Sequence, residues 1–190
     1  MGGRIGESLE SSPRLRSAFV EHEVCEACGF HGGRYDDASL LGELRALGSR
    51  WRRLLASAGS QLRVRPEPEV WSAIEYAAHS RDITALHAFG VEQALTLDEP
   101  VFPAIEADEL IESAAATYRD LDVGEVLDAL ESHADRLAQL AADAGPEAWS
   151  RGLTIGDDRS DVRRLLEHAL HDSQHHLGDV EHGFSRLRAE

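Results

Sequence analysis

The chain has 190 residues, 42% of them apolar, and Asp and Glu outnumber Lys and Arg by 35 to 19. That is material for one domain with a sizeable core, and a net charge of −16 opposes nucleic acid and anionic membranes over most of the surface. No apolar stretch approaches the roughly 20 residues that span a bilayer, and Met1 to Arg16 lacks the apolar core of a secretory signal, so a cytoplasmic location is expected.

Residues 1–18 are rich in Gly, Ser and Arg without periodicity and read as a flexible lead-in. Residues 19–36 form a short segment around Cys25 and Cys28, and residues 37–190 carry the helical pattern. From Asp37, Leu40, Leu41, Leu44, Leu47, Trp51, Leu54 and Leu55 recur at three- and four-residue steps, with Gly59 as a stop signal. Pro66 and Pro68 make the next stretch an extended connector, and a second helix is expected from about Val70 to Leu97. Pro100 and Pro103 break the pattern, and Ala104 to Tyr118 reads as a loop with one short helix. A third helix is expected over Val123 to Ala142, ending at Gly145-Pro146, and a fourth from Ser160, read as its N-cap, to Leu187. No strand-like alternation competes with these segments, and two connections are long enough to cross the molecule. An all-α four-helix bundle follows.

Helical phase sorts the ten histidines. At 100 degrees per residue His176 falls in line with Leu165, Ala169, Ser173, Val180 and Leu187, whereas Arg163, Glu167 and Gln174 project to the opposite side. Asp172 lies one turn before His176 and about 40 degrees off that line, so carboxylate and imidazole can meet inside the bundle. On the second helix His79 shares a stripe with Tyr76, Ile83 and Leu86, while Arg81 and Glu92 face away. Three inward polar groups left unpaired would cost on the order of several kcal/mol, and a divalent ion with one open position would satisfy them. Zinc suits the donors, with nickel, iron or manganese as alternatives. The overlapping pair His171 and His175 competes for this role, since His-x3-His is a common ligand spacing, but it lies about 140 and 100 degrees from His176.

Cys25 and Cys28 are half of a tetrahedral zinc site on a turn where Gly29 can take positive φ. Their partners are either His171 and His175, which would pin the leading segment to the outside of the fourth helix, or His22 and His31 nearby. A redox pair and free thiols are the other readings.

The segments Trp71-Ser-Ala-Ile-Glu-Tyr-Ala-Ala-His79 and His171-Asp-Ser-Gln-His-His-Leu-Gly-Asp-Val180 resemble the DinB-like (YfiT-like) superfamily of metal-binding four-helix bundles, over about residues 37 to 187. The resemblance implies one metal-binding histidine from the second helix, at His79, and an i,i+4 pair from the fourth. Matching the family's His-x-Gly-Gln-Ile ending to His176-Leu-Gly-Asp-Val places Asp172 as the first member of that pair, where most members carry histidine and the thiol-dependent maleylpyruvate isomerase branch carries glutamate. That departure leaves His171 and His175 as alternatives. The resemblance further implies a transferase or isomerase using mycothiol or another low-molecular-weight thiol, with a non-catalytic, metal-stabilised stress-related scaffold as the other reading. Arg81 or Arg119 is available for a substrate carboxylate, and the loop from Pro100 to Tyr118 to shape a pocket. The expected partners are a small-molecule substrate or thiol, neither nucleic acid nor membrane, with a homodimer left open.

Overall fold

The computed structural model describes residues 21–104 and 117–189. The expected lead-in and most of the loop after Ala104 lie outside those residues. Four long helices form: α1 (Asp37–Ala56), α2 (Ala73–Thr96), α3 (Val123–Ala144) and α4 (Val162–Leu187). Helices α1 and α2 each pack on both α3 and α4, which puts α1 diagonal to α2 and α3 diagonal to α4. The connections 57–72 and 145–161 therefore both cross the bundle end. No helix among the described residues is long and apolar enough to cross a membrane.

Local chemistry sets the helix starts. Asp36 and Asp122 accept from the backbone N–H of Ser39 and Glu125 and cap α1 and α3. Ser72 and Glu75 form a capping box on α2, and the buried Glu75 carboxylate also receives Arg65 Nε at 3.0 Å, which anchors the proline connector. That box starts α2 at Ala73, three residues after the expected Val70. Gly145, at φ +79°, ends α3 ahead of Pro146. The core holds Leu40, Leu44, Leu47 and Trp51 from α1 against Leu130, Leu137, Leu166 and Leu170, and Trp51 Nε1 donates to the buried Ser173 hydroxyl at 2.8 Å.

Three features differ from the sequence expectation. A small sheet is present: β1 (Val101–Phe102) lies parallel to β2 (Gly152–Ile155), which pairs antiparallel with β3 (Asp158–Asp161). Ser160 thus belongs to a strand, and Asp161 caps α4 by accepting from the N–H of Arg164 at 2.8 Å. The overlooked signal is Gly156-Asp157, a two-residue hairpin turn with Gly156 at φ +62°.

Leu86, expected to face inward with His79, is 42% exposed at the mouth of a cleft. Glu167, expected to face outward, is fully buried. Residues 21–36 fold across its side of α4 and satisfy the carboxylate: His22 Nδ1 lies 2.7 Å from Oε1, and Glu23 N–H donates to Oε2 at 2.8 Å. Arg163 completes the set, donating from Nε to Glu167 at 2.6 Å and reaching the Tyr35 carbonyl and Asp37.

Gly32 packs directly on the Glu167 carboxylate, and any Cβ there would collide with it. Gly32→Ala is expected to destabilise the protein by about 1–3 kcal/mol, the usual cost of overpacking. A denaturant midpoint equal to that of the wild type would show that the segment does not seat on Glu167 as described.

Candidate metal centre

Helix α2 carries Tyr76 and His79 one turn apart, and antiparallel α4 carries Asp172, His176 and Asp179 along the facing side. One donor atom each from His79, Asp172 and His176 lies within 4.8 Å of the others. His79 Nε2 and His176 Nε2 stand 3.5 and 3.4 Å from the same oxygen, Asp172 Oδ1. Those separations exceed an ordinary N–H···O bond, but they match the about 3.4 Å edge of a tetrahedron with bonds of about 2.1 Å. The second oxygen, Asp172 Oδ2, is buried and has no hydrogen-bond partner.

Asp179 Oδ2 sits 2.9 Å from His176 Nδ1. It thereby fixes the ring orientation and turns Nε2 toward Asp172. Burial opposes the charge on His176, but Asp172 and Asp179 outweigh it and raise its pKa to about 9. Burial likewise pushes Asp172 up, and the imidazoles of His176 and His79 more than reverse that, holding it well below the usual carboxylate range. The metal-free pair is therefore a buried imidazolium–carboxylate, whose proton a cation would displace. Rings close the surroundings: Trp71 lies 5.3 Å from His79 and Tyr76 4.9 Å from His176, centroid to centroid.

The competing pair, His171 and His175, looks to the flank, as its phase requires. There one donor atom from each lies within 4.8 Å of the others and of the Cys25 and Cys28 sulfurs. The N–H of Cys28 draws the Cys25 thiol below its ordinary pKa, whereas burial pushes Cys28 up. The nearby alternatives are engaged elsewhere, His22 with Glu167 and His31 as acceptor from the Gly33 N–H at 3.2 Å.

A third grouping, Glu23 with His168 and His171, went unnoticed in the sequence. Glu23 Oε1 meets His171 Nδ1 at 2.8 Å, while Oε2 meets Arg164 at 2.6 Å. The guanidinium already supplies the cation, so this is an ion-pair network. Burial raises the Glu23 pKa, and His168, Arg164 and His171 bring it down overall. Of the two arginines considered for substrate, Arg81 binds Asp82 at 2.7 Å and lies over the Tyr118 ring, and Arg119 is exposed. Tyr118 donates its hydroxyl to Asp82 at 2.7 Å.

Two turns farther along α2 a separate cleft of about 810 Å³ opens between α2 and α4, lined mainly by Leu86, Phe89, Phe102, Leu153 and Ile155. His87 on its wall stacks on His168 at 5.1 Å, and its Nδ1 lies 2.7 Å from the Ile83 carbonyl, so Nδ1 carries the proton and Nε2 the lone pair.

The model of the DinB superfamily matches residues 43–180. This chain belongs to that superfamily. Among solved structures, YfiT from Bacillus subtilis is similar over 91% of this chain and 95% of its own, with 16% identity and a TM-score of 0.70. It is described as "a probable metal-dependent hydrolase with an unusual four-helix bundle topology", and at that identity the likeness concerns the fold. No curated protein matches the chain.

The His87 environment sets a pH dependence. Burial first, then the neighbouring His168, lower its pKa from 6.5 to about 4. Between those values an unfolded-state His87 binds a proton that the folded one does not, so the contribution of this residue to stability is full above 6.5 and falls as the pH drops toward 4. An NMR titration should find His87 neutral down to about pH 4, and His87→Gln should flatten the loss of stability over this window. A midpoint near the ordinary histidine value would overturn the placement.

Proposed function

We propose that this DinB-superfamily chain is a metal-dependent enzyme whose cation, zinc first, is held by His79, Asp172 and His176, and which acts on a small molecule with a low-molecular-weight thiol of the mycothiol type. The observation that carries the metal is the unpartnered, buried Asp172 Oδ2 beside two imidazoles at ligand-edge spacing. Two imidazoles and a carboxylate suit zinc, with nickel, iron or manganese as the alternatives. Bound there, the cation would lower the pKa of a thiol or water and supply a nucleophile at neutral pH. Three protein donors support catalysis over a scaffold role, because a structural site is closed by four.

The chain's own residues do the positioning. Asp179 holds the His176 ring, as second-layer carboxylates do for metal-binding histidines. Trp71 packs edge-on against both His79 and Tyr118 and forms one wall of the centre. Asp82 holds Tyr118 in that wall through its hydroxyl. The resemblance to thiol-dependent isomerases supports a thiol as nucleophile, and the likeness to YfiT, described as a hydrolase, supports water.

His79→Ala should abolish metal binding at this position, weakening it by more than about 100-fold, since two ligands remain. Elemental analysis together with turnover checks it: metal-loaded protein is assayed with mycothiol, bacillithiol or glutathione against electrophilic acceptors, and without thiol against simple esters and amides. Metal-dependent turnover that disappears in His79→Ala is the expected result. Turnover only without thiol would move the reading to hydrolysis, and none under any condition would leave the scaffold role.

A further inference from the structure

Cys25 and Cys28 are the only two cysteines in the chain, and neither belongs to the inner centre. They stand on a tight turn: Gly29 N–H donates to the Cys25 carbonyl at 2.9 Å, and Cys25 N–H to the Phe30 carbonyl at 3.0 Å. Gly29 takes φ +74°, which residues with a Cβ rarely adopt. The turn lies on the flank of α4, where the next-turn pair His171 and His175 faces it.

We infer that Cys25, Cys28, His171 and His175 form a second metal site, a closed tetrahedral zinc centre that clasps the leading segment to α4. Two thiolates and two imidazoles are a full zinc set, and the donor atoms already lie within 4.8 Å of one another. Cys25 Sγ is 3.8 Å from His175 Nδ1, against about 3.6 Å for the S···N edge of a zinc tetrahedron.

The far side of the His171 imidazole is occupied in the way ligating histidines require. His171 gives Nδ1 to Glu23 Oε1 at 2.8 Å, and its Nε2 is buried with no hydrogen-bond partner. A buried orphan acceptor beside two thiols is costly unless something binds it, and a cation does so. His175 turns Nδ1 to the thiol and Nε2 toward Asp179 Oδ2 at 3.8 Å. The Glu23–His171 contact is the carboxylate–histidine–metal arrangement, and Asp179 lies beyond hydrogen-bond distance of His175.

The site shares no ligand with the inner one, so either can exist without the other. They are linked through Asp179, whose Oδ2 serves His176 Nδ1 of the inner set and stands near His175 Nε2 of the outer. The clasp also holds down the segment that carries Glu23 and His22 onto α4.

The full chain, saturated with zinc and freed of excess, should hold about two zinc ions, and X-ray absorption at the zinc edge should show sulfur averaging about one per zinc. Cys25→Ser/Cys28→Ser should hold one zinc with nitrogen and oxygen neighbours only. His79→Ala should keep one with about two sulfurs, so loss of the inner site and loss of the clasp read differently. In loaded wild type both thiols should resist a thiol-modifying reagent until a chelator removes the metal, a readout that stands even where the double-serine variant fails to fold. No sulfur around zinc in the loaded wild type, with both thiols reacting freely, would overturn the inference. A Cys25–Cys28 disulfide that forms in the presence of zinc would also overturn it and assign the pair to redox chemistry.

Discussion

A carboxylate with no solvent exposure must be paid for by its neighbours, and Glu167 is such a group in the middle of α4. Its partners are Arg163 on its own helix and two residues of the leading segment, the His22 ring and the Glu23 N–H. Satisfying it obliges residues 21–36 to lie across the side of α4 that faces away from the bundle core. Gly32 fits this closure because its missing side chain lets the backbone meet the carboxylate. Everything polar that α4 displays on that side then becomes half-buried, and each group needs a partner of its own.

Helix α4 is consequently covered on two sides, and its periodicity divides the histidines between them. Asp172, Ser173 and His176 look toward α2 and the Trp51 hydrogen bond, whereas Glu167, His171 and His175 look toward the leading segment. Successive residues diverge by 100 degrees, so Asp172 with His176 and His171 with His175 cannot converge on one point. Asp179 stands where the two sides meet. A carboxylate there orients the His176 ring, as carboxylates behind metal-binding histidines do.

The four-helix bundle is the fold this chain shares with YfiT. In the proposed centre Asp172 would make the donor set harder and more anionic than three imidazoles and so moderate the charge of a bound dication. The small β-sheet adds a wall to the apolar cleft between α2 and α4, where Phe102, Leu153 and Ile155 join Leu86 and Phe89. The α2–α4 pair therefore carries a charged centre near the start of α2 and an apolar cleft near its end.

Where information is local, the sequence alone determined the outcome. Leucine spacing placed α1 and α3 almost to the residue, Gly29 announced its positive φ, and helical phase put Asp172 and His176 on one side of α4 and His171 and His175 on another. Phase states a direction about a helix's own axis, but it does not state what covers that direction. Only the tertiary structure could bury Glu167, because His22 lies 145 residues away in the chain. For the same reason Leu86 was misplaced at a cleft mouth, Asp179 was not seen as a partner of His176, and Ser160 was taken for a cap until β2 claimed its strand. Each of those outcomes depends on a surface supplied by a distant segment, which periodicity within one helix does not encode.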